Sequence, residues 1–145
     1  MKKTSYIFLF LTTIVISMLA AGCRKAPING KLDAQWQIMN IEHISDGHNE
    51  KPRLRTYIDI NLHIVNLRNV TTDEKGGAVI AGNMIYDKDN SKLTLDFPYN
   101  KEGEKLTQLQ SWGIYTNPIT FDIVKLDGKQ LILKSEATVI TCRRF

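Results

Sequence analysis

The residues "TYIDINLHI", 56–64, alternate between apolar and polar side chains. Every second position carries an aliphatic residue: Ile58, Ile60, Leu62 and Ile64. A period of two over this length is typical of a strand that buries one face and leaves the other in solvent. The stretch therefore predicts a strand over 56–66 and indicates that β-sheet dominates the fold.

The same period recurs along the chain, interrupted by turn signals. "KLTLDF" (92–97) and "NPITFDI" (117–123) alternate in this way, and Asp127-Gly128 separates "FDIVKL" from "KQLILKS". An Asp-Gly pair favours a type I′ turn, because both central residues of that turn need positive φ, so the flanking strands are expected to pair antiparallel. We predict about eight strands, over 34–44, 56–66, 78–86, 92–97, 107–112, 119–126, 130–135 and 138–144.

Strands of this kind, joined by short connections, predict an all-β fold built as an antiparallel up-and-down meander. A meander of about eight strands removes its exposed edges by closing into a barrel. At that size, the interior is either filled by side chains or wide enough for one small ligand. The shortness of the strands favours a shallow, mostly filled barrel.

The chain has 145 residues, which suits a single domain, and a formal net charge of +4. Without Lys2 and Lys3, which belong to the leading segment, 17 Lys and Arg face 15 Asp and Glu, a net charge of +2. The basic residues are also scattered along the chain. This balance gives no reason to expect a nucleic-acid partner.

The leading segment has the pattern of an export signal. Lys2 and Lys3 are followed by uncharged residues up to Gly22, and the apolar core, Tyr6 to Ala21, has 16 residues. That is shorter than the roughly 20 residues of a stable membrane span. We therefore predict a cleaved signal over 1–22, with an uncleaved membrane anchor as the alternative.

The end of this segment, "LAAGC" (19–23), resembles the lipobox of bacterial lipoproteins, although Ala20 stands where an aliphatic residue is usual. The resemblance implies cleavage before Cys23 and attachment of acyl chains to it, so that Cys23 holds the protein on a membrane and Cys142 stays unpaired. Residues 23–31 would form a lipidated tether. In Bacteroidetes, lipoproteins resembling this one are often sent to the cell surface by acidic residues just after the cysteine. Arg24 and Lys25 have the opposite charge and favour the periplasmic face of the outer membrane.

Two stretches at the ends of 32–145 resemble the lipocalin or calycin barrel. In "LDAQWQI" (32–38), Trp36 matches the tryptophan of the first strand, with Ala34 at the usual glycine. In "TVITCRRF" (138–145), Arg143 or Arg144 matches the basic residue of the last strand that stacks on this tryptophan. The resemblance implies a cation–π contact that closes one barrel end. The whole arrangement is similar to small lipocalin-like lipoproteins of Bacteroidetes.

Three aromatic residues are candidates for contact with a ligand. Trp112 and Tyr115 flank Gly113 in "QSWGIYTNP" (110–118), and Tyr57 is out of phase with the aliphatic series around Ile58. Aromatic residues also commonly fill a core. Ligand contact and packing both remain open at this point.

Metal binding and catalysis find little support. His43, His48 and His63 lack the paired spacing of metal ligands, and the chain shows no Ser-His-Asp or Cys-His motif. No cofactor or enzymatic activity is expected. We predict a tethered, non-enzymatic protein that binds a small apolar or amphipathic ligand in or at the mouth of its barrel. The alternative is a module of the cell envelope that binds or inhibits another protein through loops 46–55, 71–77 and 98–118.

Overall fold

The computed structural model describes residues 28–52, 55–70, 77 and 79–145. The predicted signal segment, Cys23 and residues 24–27 of the tether lie outside these residues. The described residues form nine strands: β1 (Ala34–His43), β2 (Asn49–Glu50), β3 (Arg55–Asn61), β4 (Ile64–Val70), β5 (Val79–Asp87), β6 (Lys92–Asp96), β7 (Ile119–Leu126), β8 (Gln130–Lys134) and β9 (Thr138–Arg144). The α-helix is α1 (Gly103–Gln108), and 3-10 turns occupy Gly30–Leu32 and Leu109–Trp112.

Eight of these strands form a closed antiparallel barrel. From β3 to β9 each strand pairs with the next, β1 pairs with β3, and β9 returns to pair with β1 from Trp36↔Arg144 to His43↔Thr138. The two-residue strand β2 adds to the free end of β1 at Ile41 and Glu42. The predicted all-β meander and its closure into a lipocalin-like barrel are confirmed.

The predicted strand over 56–66 is wrong in one respect, because it is two strands. β3 ends at Asn61 and β4 begins at Ile64, with a turn at Leu62, whose φ is 58°. The turn receives outside support: Leu62 N donates to Asp33 Oδ1 at 3.2 Å, and Asn29 Nδ2 donates to Leu62 O at 2.6 Å. Contacts distant in sequence therefore stabilise a turn where the local pattern continues a strand.

The predicted strand over 107–112 is also wrong, since this stretch is helical. Helix α1 runs directly into the 3-10 turn Leu109–Trp112. Leu109 and Trp112, three residues apart, are both buried, and Leu106 packs against the same core. A spacing of three places side chains on one helical face, whereas a strand would need a spacing of two.

The two ends of the barrel differ. The loop end carries 44–48, 97–118 and 135–137, whereas the turn end carries 28–33, the Leu62-His63 turn, 88–91, 127–129 and the terminal Phe145. At the turn end, Trp36 is fully buried and its Nε1 donates to Leu32 O at 2.9 Å. Within the described ranges, no helix combines the length and the apolar character needed to cross a bilayer.

Candidate binding site at the mouth of the barrel

Residues 97–118, which we call the plug, cross the loop end and close the interior. Phe97, Leu109 and Ile114 are fully buried and Trp112 is 2% exposed. Trp112 Nε1 donates to Tyr57 O at 3.2 Å, at the point where the ladder between β1 and β3 ends with the pair Gln37↔Tyr57. Trp112 thus packs in the core and provides a donor where β1 and β3 separate.

Polar contacts hold the plug in place at both of its ends. Asn117 Oδ1 accepts from Phe97 N at 2.9 Å, while Asn117 Nδ2 donates to Phe97 O at 2.7 Å and to Asn100 O at 2.9 Å. The peptide bond between Asn117 and Pro118 is cis. One asparagine side chain therefore joins the start of the plug to its end.

Gly113 allows the plug to approach the barrel wall closely. Its φ is 74°, and a Cβ at this position would lie 3.1 Å from Ile41 Cγ2 and 3.2 Å from Ile140 Cδ1. Its carbonyl accepts from Thr138 Oγ1, a buried hydroxyl, at 2.8 Å. The sequence analysis assigned no role to Asn117 or Thr138, and the φ preference of glycine was the one local signal for Gly113.

A groove of about 310 Å³ lies between the end of the plug and strands β7 to β9. We call it the mouth groove, and it is lined by Tyr115, Thr116, Pro118, Ile119, Thr120, Ser135, Glu136 and Ala137. A second groove of about 500 Å³ shares Thr120, Ser135 and Glu136 with it and extends to Lys92, Asp122 and Lys134. A volume near 310 Å³ is at the lower end of the range for small-molecule sites.

Tyr115 forms one wall of the mouth groove. Its ring lies edge-on to His43 at 5.9 Å, and His43 Nε2 is 3.6 Å from Glu50 Oε2. Partial burial, and secondarily the negative charge of Glu50, raise the pKa of the Tyr115 phenol. The phenol is therefore protonated at neutral pH and can donate a hydrogen bond to a ligand.

The structure separates the third aromatic candidate, Tyr57, from the other two. Its ring lies on the outer face of β3 and is only 3% exposed, because Arg68 Cζ lies 4.7 Å above it and Phe145 packs edge-on at 5.3 Å. Arg68 Nε in turn donates to Asp59 Oδ2 at 3.0 Å. Trp112 and Tyr115 belong to the plug, and of the three candidates Tyr115 is the one that lines the groove.

The register of β1 and β9 distinguishes the two arginines at the turn end. Arg144 lies directly opposite Trp36, so both point to the same face of the sheet. Arg143 lies opposite Gln37 and donates from Nε to Gln37 Oε1 at 2.9 Å on the outer face. Among the described residues, the cation–π contact lies between Arg68 and Tyr57, and not between Trp36 and Arg143 or Arg144 as the resemblance implied.

Within the described residues, no group of three or more His, Cys, Asp and Glu side chains could hold a metal ion. His43 and His48 stack with their rings 5.9 Å apart, and His63 is exposed in the β3–β4 turn. Cys142 is a free, buried thiol whose pKa is raised by burial.

Comparison with solved structures supports the same architecture. A lipocalin-like protein from Bacteroides uniformis shares 19% identity, with a TM-score of 0.65 over 80% of this chain and 100% of that one. An uncharacterized protein from Bacteroides eggerthii shares 15% identity, with a TM-score of 0.56 over 77% and 98%. At these identities the likeness concerns the fold alone.

Comparison of sequences assigns the family. No curated protein matches the chain. Residues 17–145 match the family described as the lipocalin-like domain, and the match covers all nine strands and the plug. With its closed eight-stranded barrel, the chain belongs to the lipocalin-like domain family.

Proposed function

We propose that this protein is a non-enzymatic, lipid-anchored binding protein that holds a small apolar or amphipathic molecule in the mouth groove. The lipocalin-like barrel is the fold of a ligand-binding type of protein, and its family is generally non-enzymatic. The anchor would be the acylated Cys23, and its place would be the periplasmic face of the outer membrane. The lipobox and the basic Arg24 and Lys25 support this part of the proposal.

One observation carries the choice of the mouth groove. The space that a wide lipocalin cup would offer is filled here by Trp36, Phe121 and Trp112, each no more than 2% exposed. The mouth groove, by contrast, is open and holds about 310 Å³. A ligand can bind there without displacing a core side chain.

The lining of the groove suits a molecule with both apolar and polar parts. Pro118, Ala137 and the ring of Tyr115 offer apolar contacts, whereas the exposed hydroxyl group of Thr116 can exchange hydrogen bonds. Glu136 adds an exposed carboxylate at the rim. Apolar walls with a few polar groups are typical of small-ligand sites.

The test is a titration of the purified protein with a panel of fatty acids, lysophospholipids and small aromatic metabolites. Binding is monitored through the NMR chemical shifts of the backbone amides. A ligand should shift the amides of 115–120 and 135–137, and Tyr115→Ala should weaken binding by about tenfold or more, which is the loss of one well-packed aromatic contact. Tyr99→Ala is the matched control, because Tyr99 is 82% exposed and does not line the mouth groove. An absence of shifts from the whole panel, or equal effects of both variants, would contradict the proposal.

A second candidate function has its own observation. On the outer face of β4 and β5, Ile64 is 52% exposed and Val79 61%. Tyr99 of the plug, 82% exposed, lines one groove with Ile64, Ala81 and Pro98 and another with Val79 and Ala81. An exposed apolar strip of this kind is typical of protein contact surfaces. A photo-crosslinker at position 99 should then give a discrete adduct in native envelopes, whereas the same group at Asn90, at the turn end, should not.

A further inference from the structure

The position of the barrel relative to its anchor follows from the length of the tether and the height of the barrel. Ile28 lies at the turn end, where Asn29 is bonded to Asp33 and to the Leu62 carbonyl. Four residues, 24–27, separate Cys23 from Ile28, and even when fully extended these five Cα–Cα steps span no more than about 18 Å. A bilayer that holds acylated Cys23 is therefore within this distance of the turn end.

The loop end is too far away to reach the same bilayer surface. Strand β1 has 10 residues and runs from one end of the barrel to the other. At about 3.3 Å per residue and a tilt of about 40°, it raises the loop end about 25 Å above the turn end. Because this height exceeds the span of the tether, contact with the bilayer is restricted to the turn end or to the side of the barrel.

The turn end presents side chains that suit a lipid surface. Ile28 is 66% exposed and Phe145 67%. The charged residues of this end are basic at Lys31, Lys88, Lys125, Lys129, Arg143 and Arg144 and acidic at Asp33, Asp87, Asp89 and Asp127. Six basic residues against four acidic ones make the balance positive, and Arg24 and Lys25, which precede this end in the sequence, have the same sign.

We infer that the turn end is a docking surface for the bilayer that carries the anchor. Exposed Ile28 and Phe145 lie at the interface, and basic side chains such as Arg144 and Lys129 lie against anionic headgroups. Apolar side chains at the interface and Lys or Arg near anionic lipid both favour such contact. The mouth groove then faces away from the bilayer, into the aqueous space. The inference rests on the proposed acylation of Cys23.

The test uses the full-length acylated protein, inserted into vesicles of phosphatidylethanolamine and phosphatidylglycerol that contain a headgroup-nitroxide lipid. Single cysteines labelled with bimane report proximity to the headgroups: Lys129→Cys at the turn end, Asn83→Cys on the side and Glu136→Cys at the loop end. All three positions are exposed. Quenching should be strongest at position 129, weaker at 83 and weakest at 136.

Charge reversal tests the electrostatic part. Lys88→Glu with Arg144→Glu should lower the docked-to-undocked ratio, read as quenching at position 129, by roughly tenfold or more. The matched pair Lys51→Glu with Lys105→Glu, at the loop end, should leave it unchanged. Far-UV circular dichroism checks that each variant is folded.

The outcomes separate this inference from the anchoring on which it rests. If the wild-type protein does not float with the vesicles, both the anchoring and the docking are overturned. Protein that floats but is quenched equally at all three positions, or most strongly at position 83, would overturn the docked orientation and leave the anchoring intact. Turn-end reversals that change nothing would overturn the role of the basic residues.

Discussion

Trp36 and Trp112 are the largest fully buried side chains of the core and lie near opposite ends of the barrel. Each directs its indole N–H to a backbone carbonyl, that of Leu32 and that of Tyr57 respectively. A buried N–H without such a partner would cost about 1–3 kcal/mol. Each tryptophan therefore buries a large apolar surface and also donates a hydrogen bond to a backbone carbonyl where the sheet ends or opens.

The burial of Cys142 predicts that its thiol is unreactive in the folded protein. It pairs with Ile38 and Leu131 in neighbouring strands and is fully buried. Because burial raises its pKa, the thiol stays protonated and inert at neutral pH. A maleimide should leave the folded protein unmodified and label Cys142 after unfolding in guanidinium.

The same measurement tests the state of Cys23. In protein purified from membranes, an acylated Cys23 contributes no free thiol, so one maleimide should add per unfolded chain. Two additions would contradict the thioether at Cys23. A chain that takes up none before reduction would point to a disulfide between Cys23 and Cys142.

At the scale of elements, the β7–β8 hairpin depends on Asp127. Hydrogen bonds from the backbone N–H groups of Lys129 and Gln130 lower the pKa of this carboxyl below its ordinary 3.8. The lowered folded-state pKa means that the ionised group stabilises the hairpin above about pH 4 and that this contribution is lost as pH falls through the lowered value. An NMR pH titration should show Asp127 ionising below the unfolded reference, and Asp127→Ala should remove this acid-sensitive part of the hairpin stability. A titration at or above 3.8 would contradict it.

The β5–β6 turn contains a residue in a strained backbone conformation. Ser91 has φ 53° and an exposed side chain. Because glycine tolerates positive φ, Ser91→Gly should raise the free energy of unfolding by about 0.5–1 kcal/mol. Ser111→Gly, at an exposed site in the 3-10 turn where φ is not positive, should lower it by a similar amount. Urea unfolding of both variants measures the difference, and equal shifts of the same sign would refute the assignment of strain.

At the scale of the whole molecule, the plug decides whether the barrel has an interior cavity. Leu109, a residue of the plug, is fully buried, whereas Leu106, one turn earlier, is only partly buried. Leu109→Ala should lower the free energy of unfolding by about 2–5 kcal/mol and open a cavity that binds a small apolar probe such as benzene. Leu106→Ala should cost less and bind no probe. Similar losses in both variants would show that the plug does not seal the barrel.

The candidate site could be predicted only in part. The aromatic cluster in "QSWGIYTNP" drew attention to Trp112 and Tyr115, but the sequence could not tell that Trp112 packs inward while Tyr115 lines a groove. The reason is that 107–112 is helical, so side-chain directions derived from a strand do not apply. Ser135 and Glu136, on the other side of the groove, reach Tyr115 through tertiary contacts alone.

By itself, the sequence determined the all-β class and the antiparallel order of the strands, and it predicted their closure into a barrel. These follow from the two-residue period and from turn chemistry, such as Asp127-Gly128, which act between neighbours in the chain. The lipocalin-like character of the barrel was implied by the resemblance around Trp36 and in the last strand. Only the tertiary structure decided that β3 ends at Asn61 before the turn at Leu62, how the plug folds and which space is open to a ligand. Those features depend on Asn29 and Asp33 for the turn and on Asn117 for the plug, whose partners lie far away in sequence. Local patterns do not encode such contacts, because their free energy exists only once the barrel has brought the partners together.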